Sequence, residues 1–275
     1  MVSDSKKPPL LALKDIVEQT NDYLESIAEA KQRRESGFYE VEGVESETVY
    51  CGWSMRYAAL GMAYALQGSY FDAQEAFLIA AKYKIRPLEM AFVLNDPEYV
   101  GLDITEGISA HNVIECACYS IAAGNVDIAK KACALFREHA KTPSEPATIN
   151  EFAFALDAFF KGELGQAANI CETRIEKFLT KPSKKITFNS NYYTLHLALW
   201  GICTGDQQSF DEGIRKQLTI CHHEARYGEW KGMVQGHYAE YAVALTNLAI
   251  LAGLKQQVFD PFIPQGLVWS KSDRD

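Results

Sequence analysis

Four glycines lay out the plan of this chain. Gly68, Gly124, Gly162 and Gly205 each stand between two stretches whose apolar residues recur every three or four positions, the spacing of one helical face. Glycine enters the left-handed conformation that ends a helix without a Cβ clash, so each reads as the turn of a helical hairpin. Val49, Trp53, Tyr57, Leu60 and Tyr64 precede Gly68, and Ala73, Phe77 and Ala80 follow it. Ser46, Ser69, Asn125 and Asp206 stand where N-caps are expected, and Pro87 reads as the end of the third helix. A first helix carries Leu13, Ile16, Val17, Thr20, Leu24 and Ile27 on one face and breaks at Gly37 to Gly43. A last helix is expected from about Gly236 to Leu251, closed by Gly253. Only Lys185 to Phe188 alternates, which is too short for a strand. The expected fold class is all-α, an irregular array of antiparallel helical hairpins. It is expected to form one domain over residues 1–275, with a flexible stretch at 1–9 and an extended tail at 254–275 docked on the last helices.

The first hairpin resembles a tetratricopeptide repeat. Tyr57, Leu60, Gly61, Tyr64, Gly68, Tyr70, Ala73, Phe77 and Ala80 fall at that repeat's large, small, aromatic and turn positions. Gly61 and Ala73 are expected to let two helices approach closely, with the aromatics filling the groove beside them. Later hairpins keep less: Ala117, Gly124 and Ala129, then Ala155, Gly162 and Ala167, then Ala198 and Gly205, where Phe210 takes a small residue's place. The turn glycines are 56, 38 and 43 positions apart, whereas a regular array repeats every 34 or so. An irregular array still stacks neighbour on neighbour and leaves a concave face suited to binding.

Charge narrows the partners. The 275 residues carry a formal net charge of −9, which disfavours phosphate backbones and anionic lipid. No nucleic-acid or membrane partner is expected. The most apolar run, Tyr241 to Leu254, is shorter than the roughly 20 residues a spanning helix needs. The leading apolar stretch, Leu10 to Leu13, is shorter than the roughly 7–15 residues of a secretory signal. A cytoplasmic location is expected. Seven cysteines, an odd number, argue against a disulfide framework and read as small buried apolar groups. Cys116 and Cys118 would project in different directions from a helix and make a poor chelate.

No sequence pattern for phosphate cradling, dinucleotide binding or a serine nucleophile is present. His222, His223, His237 and Glu240 are the densest set of catalytic residue types, but they lack metal-ligand spacing and read as structural. Catalytic, cofactor and metal residues are therefore assigned to none. Trp53 and Trp200 read as core, whereas Trp230 and Trp269 suit either an interface or a packed tail.

The acidic segments are more informative. Glu35, Glu40, Glu42, Glu45 and Glu47 lie in one segment without Lys or Arg, interleaved with Phe38, Tyr39, Val41 and Val44. Asp96, Glu98 and Asp103 form a second stretch that runs on to Glu106. Such segments suit a basic protein surface through charge steering, and they equally suit solvated loops. Glu35, Tyr39, Glu40, Glu42, Glu45, Glu47, Asp96, Glu98 and Asp103 are the candidate partner-binding residues.

The C-terminal stretch from Tyr238 to Leu254, followed by Asp260-Pro-Phe-Ile-Pro264-Gln-Gly-Leu267, resembles the end of the immunity protein 49 family of polymorphic toxin systems. Trp53 to Ala81 resembles that family's early helices. The tail is also similar to an immunity group paired with polymorphic nuclease toxins. The likeness covers roughly a quarter of the chain and consists of helix packing and Gly/Pro punctuation. It implies an all-helical cytoplasmic protein that binds and neutralises one cognate, basic toxin by occluding its active surface. A tetratricopeptide-like scaffold or chaperone is the alternative.

Overall fold

A computed structural model describes residues 10–39, 46–101, 108–139, 146–182 and 186–270. Among these, the chain is all-helical. The ten α-helices are α1 (Leu13–Glu35), α2 (Ser46–Gln67), α3 (Tyr70–Phe92), α4 (Ala110–Ala122), α5 (Val126–His139), α6 (Ala147–Phe160), α7 (Leu164–Thr180), α8 (Phe188–Thr204), α9 (Gln207–Tyr227) and α10 (Glu240–Leu251). Two short 3-10 turns, Val234–His237 and Gln265–Leu267, flank α10.

The turn glycines work as expected. Gly68, Gly124, Gly162 and Gly205 have φ between 75° and 82°. At the first three, the next residue's N–H reaches back to a carbonyl in the last helical turn: Ser69 to Tyr64, Asn125 to Ser120 and Glu163 to Ala158, each 2.9 Å. Leu254 closes α10 on Ala249 in the same way. These bonds satisfy carbonyls that a helix end leaves orphaned. Asn125 Oδ1 accepts from the Asp127 N–H, and Asp206 Oδ1 accepts from the Gln208 and Ser209 N–H groups.

Five local expectations are corrected. Pro87 lies inside α3, which continues to Phe92. A proline in a helix interior costs about 3 kcal/mol, and here Leu88, Met90 and Ala91, all buried beyond it, offset that loss. Ser69 makes no side-chain cap bond, and Ser46 is the first residue of α2, not its cap. The buried face of α1 is Ile16, Thr20, Ile27 and Ala30, while Leu13, Val17 and Leu24 are exposed. The last helix begins at Glu240, because the segment before it forms a separate 3-10 turn.

Helices pack as successive hairpins, α2–α3, α4–α5, α6–α7 and α8–α9, with α1 on the outside of α2. In the first hairpin a Cβ on Gly61 would stand 2.9 Å from the Phe77 ring, so the missing side chain is what admits Phe77. In the last hairpin Gly201 lies against the Phe210 backbone, and Gly213 lies against Ala198. Glycines thus permit at both ends what small side chains permit elsewhere.

The concave face is already filled. α10 is uncharged after Glu240, and every residue from Ala242 to Ile250 is buried, the pattern of a helix enclosed on all sides. It packs against α4, α8 and α9, and Tyr241, Ala244, Leu245 and Leu248 meet Ala117, Ile121, Phe152 and Leu156. The flanking segments then tie the two ends of the array together. Gln19 of α1 donates to the Gly232 carbonyl and accepts from the Val234 N–H, and the first 3-10 turn touches both α2 and α9. The tail docks on the last helices, as expected, and goes further. Lys255 pairs with Gln207 at the start of α9, Asn247 holds Leu267 and Trp269, and Gly266 lies flat on the Tyr70 ring of α3.

Candidate functional site

Where α10 begins, its N-terminus leaves part of the concave face unfilled. The result is a cavity of about 530 Å³ walled by α2, α4, α9, the start of α8 and the 3-10 segment. Its titratable lining is His111, Glu115, Glu224 and Glu240, together with Cys221, Tyr119, Tyr238 and Tyr241, and no Lys or Arg contributes to the wall. Met55, Ile186 and Trp230 line it and are exposed, giving the opening an apolar rim.

The floor is a buried charge cluster. Glu115 projects from α4, and its Oε2 pairs with Lys84 Nζ of α3 at 2.6 Å. His111, one turn back, places Nε2 3.4 Å from the other oxygen. Burial opposes ionisation of Glu115, but the His111 hydrogen bond and the Lys84 charge outweigh it and hold the carboxyl near 2. Glu240 has the opposite fate. Burial, and after it repulsion from Glu115, raises its pKa well above the usual carboxylate range, with Lys84 only partly opposing. Its Oε1 is enclosed and has no hydrogen-bond partner, and the same holds for the Tyr238 hydroxyl and Asn191 Oδ1. Buried polar atoms are normally paired, so three unmatched atoms around one cavity single it out as the candidate site.

A second acidic cluster lies at the end of α3. Arg86 pairs with Asp96 at 2.7 and 2.8 Å, with Glu98 at 2.8 Å and with Glu89 at 2.5 Å. Tyr50 donates its hydroxyl to Glu98 at 2.7 Å, and Lys131 pairs with Glu89. The Arg86 bonds hold Asp96 at about 2, against a small opposing effect of burial. These contacts change the reading of Asp96 and Glu98. They are the acid half of an internal ion network, and Asp96 offers little surface to a partner. Glu35 ends α1 and is exposed, Tyr39 is half-buried against Phe38, and Glu47 lies in the first turn of α2. Glu40, Glu42, Glu45 and Asp103 lie outside the described residues.

The histidines dock the tail. His222 Nε2 meets Asp260 Oδ2 at 2.9 Å, and its ring stacks on Phe262 at 4.4 Å. His237 packs on the same Phe262 at 5.3 Å. His223 is half-exposed beside Glu224. Among the described residues no group of three or more His, Cys, Asp or Glu is placed to hold a metal ion. Burial pushes the Cys116 and Cys221 thiols up to about 12 and leaves them poor nucleophiles. Trp53 is buried, Trp200 and Trp269 are part-buried, and Trp230 stands at the cavity rim.

Sequence reasoning missed Glu115 and Lys84 and placed Glu240 with the wrong neighbours. A signal existed: Glu115 is the one acidic residue of α4, and Glu240 opens a helix that is otherwise uncharged. Nothing in the spacing, however, says that α10 meets α3 and α4 there.

The molecule is thus an all-α array of helical hairpins whose ends are tied by its own C-terminal segment, with an acidic cavity left on its inner face. No protein-family model, curated protein or solved structure matches the chain.

Proposed function

We propose that this protein is a binding protein, and specifically an immunity protein that neutralises a cognate, basic toxin inside the cell that makes it. The observation that carries the reading is the acidic cavity with its apolar rim. Glu224 and Glu240 line it with no Lys or Arg in the wall and offer carboxyl groups to a basic surface, and exposed Met55, Ile186 and Trp230 supply the kind of apolar anchors that dominate interfaces. Both Glu115 oxygens are engaged by Lys84 and His111, so Glu115 is read as structural and the set as a recognition feature, not as acid and base. The tail, whose sequence resembles those of immunity proteins, holds the array closed and so shapes the cavity. Among the described residues no helix is long and apolar enough to cross a membrane, which agrees with action inside the cell.

The scaffold alternative needs an open groove for an extended peptide. α10 lies in that groove, which favours a folded partner at the cavity mouth. Co-expression with the toxin encoded beside this protein tests the reading. Cells are expected to survive with the wild-type chain and to lose protection with Trp230→Asp. Equal killing with and without the protein would sink the proposal.

A further inference from the structure

The buried cluster holds one acid more than it has cationic partners. Lys84 is 4% exposed and is matched by Glu115. Glu240 then stands beside them with an enclosed oxygen that nothing in the protein meets. Tyr238, also 4% exposed, lines the same cavity with an unpartnered hydroxyl, and Asn191 adds an unpartnered amide oxygen from the start of α8. Three oxygens that can accept hydrogen bonds therefore go unmatched around one cavity. Beside them the Tyr119 and Tyr241 rings and exposed Trp230 offer π faces, which attract ammonium and guanidinium groups. The cavity of about 530 Å³ is within the size range of small-molecule sites.

We infer that this cavity is a binding site for one primary ammonium or guanidinium group, seated between Glu240, Tyr238 and Asn191. The group supplies the missing cationic partner, donates to the unmatched oxygens and lays its alkyl stem along Met55, Ala59 and Met62 toward the mouth. The groups facing Glu240 are Glu115 from α4, Lys84 from α3, the Tyr119, Tyr238 and Tyr241 hydroxyls, and the Cys118 and Cys221 thiols. The incoming cation allows Glu240 to ionise beside them, as an opposite charge does for a buried acid. A partner's Lys or Arg side chain and a free small amine share this chemistry, and the site does not require the partner to be a toxin.

Isothermal titration calorimetry on the full chain tests it, with putrescine, N-acetyl-arginine amide and its neutral isostere N-acetyl-citrulline amide. Saturable one-to-one binding of at least one cation is expected, with the citrulline amide weaker by about tenfold or more. Glu240→Gln keeps the shape of the protonated acid and is expected to weaken the cation by a similar factor, and Tyr238→Phe by a smaller one, while thermal melts show both variants folded. Tighter putrescine assigns the site to free amines. Tighter arginine amide assigns it to a side chain displayed on a protein, and equal affinity assigns it to the cationic group alone. The inference is overturned if neither cation saturates, if the citrulline amide binds as well, or if folded Glu240→Gln binds unchanged. Failure of toxin protection with cation binding intact removes the immunity reading alone.

Discussion

Two acidic clusters in this molecule look alike in composition and differ in bookkeeping. At the end of α3, Arg86 serves Asp96, Glu98 and Glu89, and Tyr50 and Lys131 complete the set. In the cavity, Lys84 and His111 serve Glu115, and Glu240 is left with no cation of its own. The first cluster is a knot that ties the segment after α3 back onto its helix. The second is an incomplete set in a place that solvent-sized groups enter. An acidic cluster marks a binding site through the charges it fails to neutralise, and a count of glutamates does not report that.

Lys84→Met should break the contrast most severely. It leaves Glu115 buried with only His111 beside it, and losing one partner of a buried pair costs about 3–5 kcal/mol. Urea denaturation at pH 7 would read this. Arg86→Met removes a cation from three acids, yet Glu98 is 44% exposed, so water takes over part of its role. A loss of about 1–2 kcal/mol is expected, clearly smaller than at Lys84. Equal losses at the two sites would mean that burial does not separate the clusters.

Glu240→Gln should move the other way, stabilising the protein at pH 7 by about 1 kcal/mol, since it removes the cost of protonating, on folding, an acid that is ionised in the unfolded chain. The sign follows from linkage. Glu240 is raised in the folded state, so its contribution is fully present below the unfolded carboxylate value near 4.5 and is lost as pH rises toward the folded value. Stability measured from pH 5 to pH 8 should fall less steeply in the variant. Asp96 and Glu115 run oppositely. Both are lowered to about 2, so their contributions are complete above their unfolded values and vanish as pH falls toward 2. Acid titration of Glu240→Gln should therefore match wild type on that limb. The smallest effect belongs to Glu98→Gln, about 0.5 kcal/mol or less, because Tyr50 keeps an acceptor and Arg86 keeps Asp96. A larger loss would make the knot as stringent as the cavity floor.

Much of the fold is legible in the residues because hairpin turns are local events. Gly68, Gly124 and Gly162 each close a helix through bonds within six residues, so a glycine between two periodic stretches suffices to place them. Asn125 and Asp206 cap within three residues for the same reason. Pro87 shows the limit. Its local preference ends a helix, and tertiary burial of Leu88 and Met90 carries the helix through. The α1 face shows another. Val17 and Ile16 are adjacent and equally apolar, and only the position of α2 decides that Ile16 turns inward. The candidate site is less legible still. Asp96 and Glu98 read as surface acids because Arg86 lies ten and twelve positions away, and their pairing depends on how the chain leaves α3.

By itself the sequence determined the all-α class, the hairpin turns and the apolar last helix, since each rests on short-range periodicity and on what glycine permits. Only the tertiary structure decided that the last helix fills the groove of its own array, that His222 and His237 grip Phe262 to dock the tail, and that Lys84, Glu115 and Glu240 meet. Those outcomes depend on which faces remain unburied after the hairpins stack, a property of the whole packed array that no single segment carries.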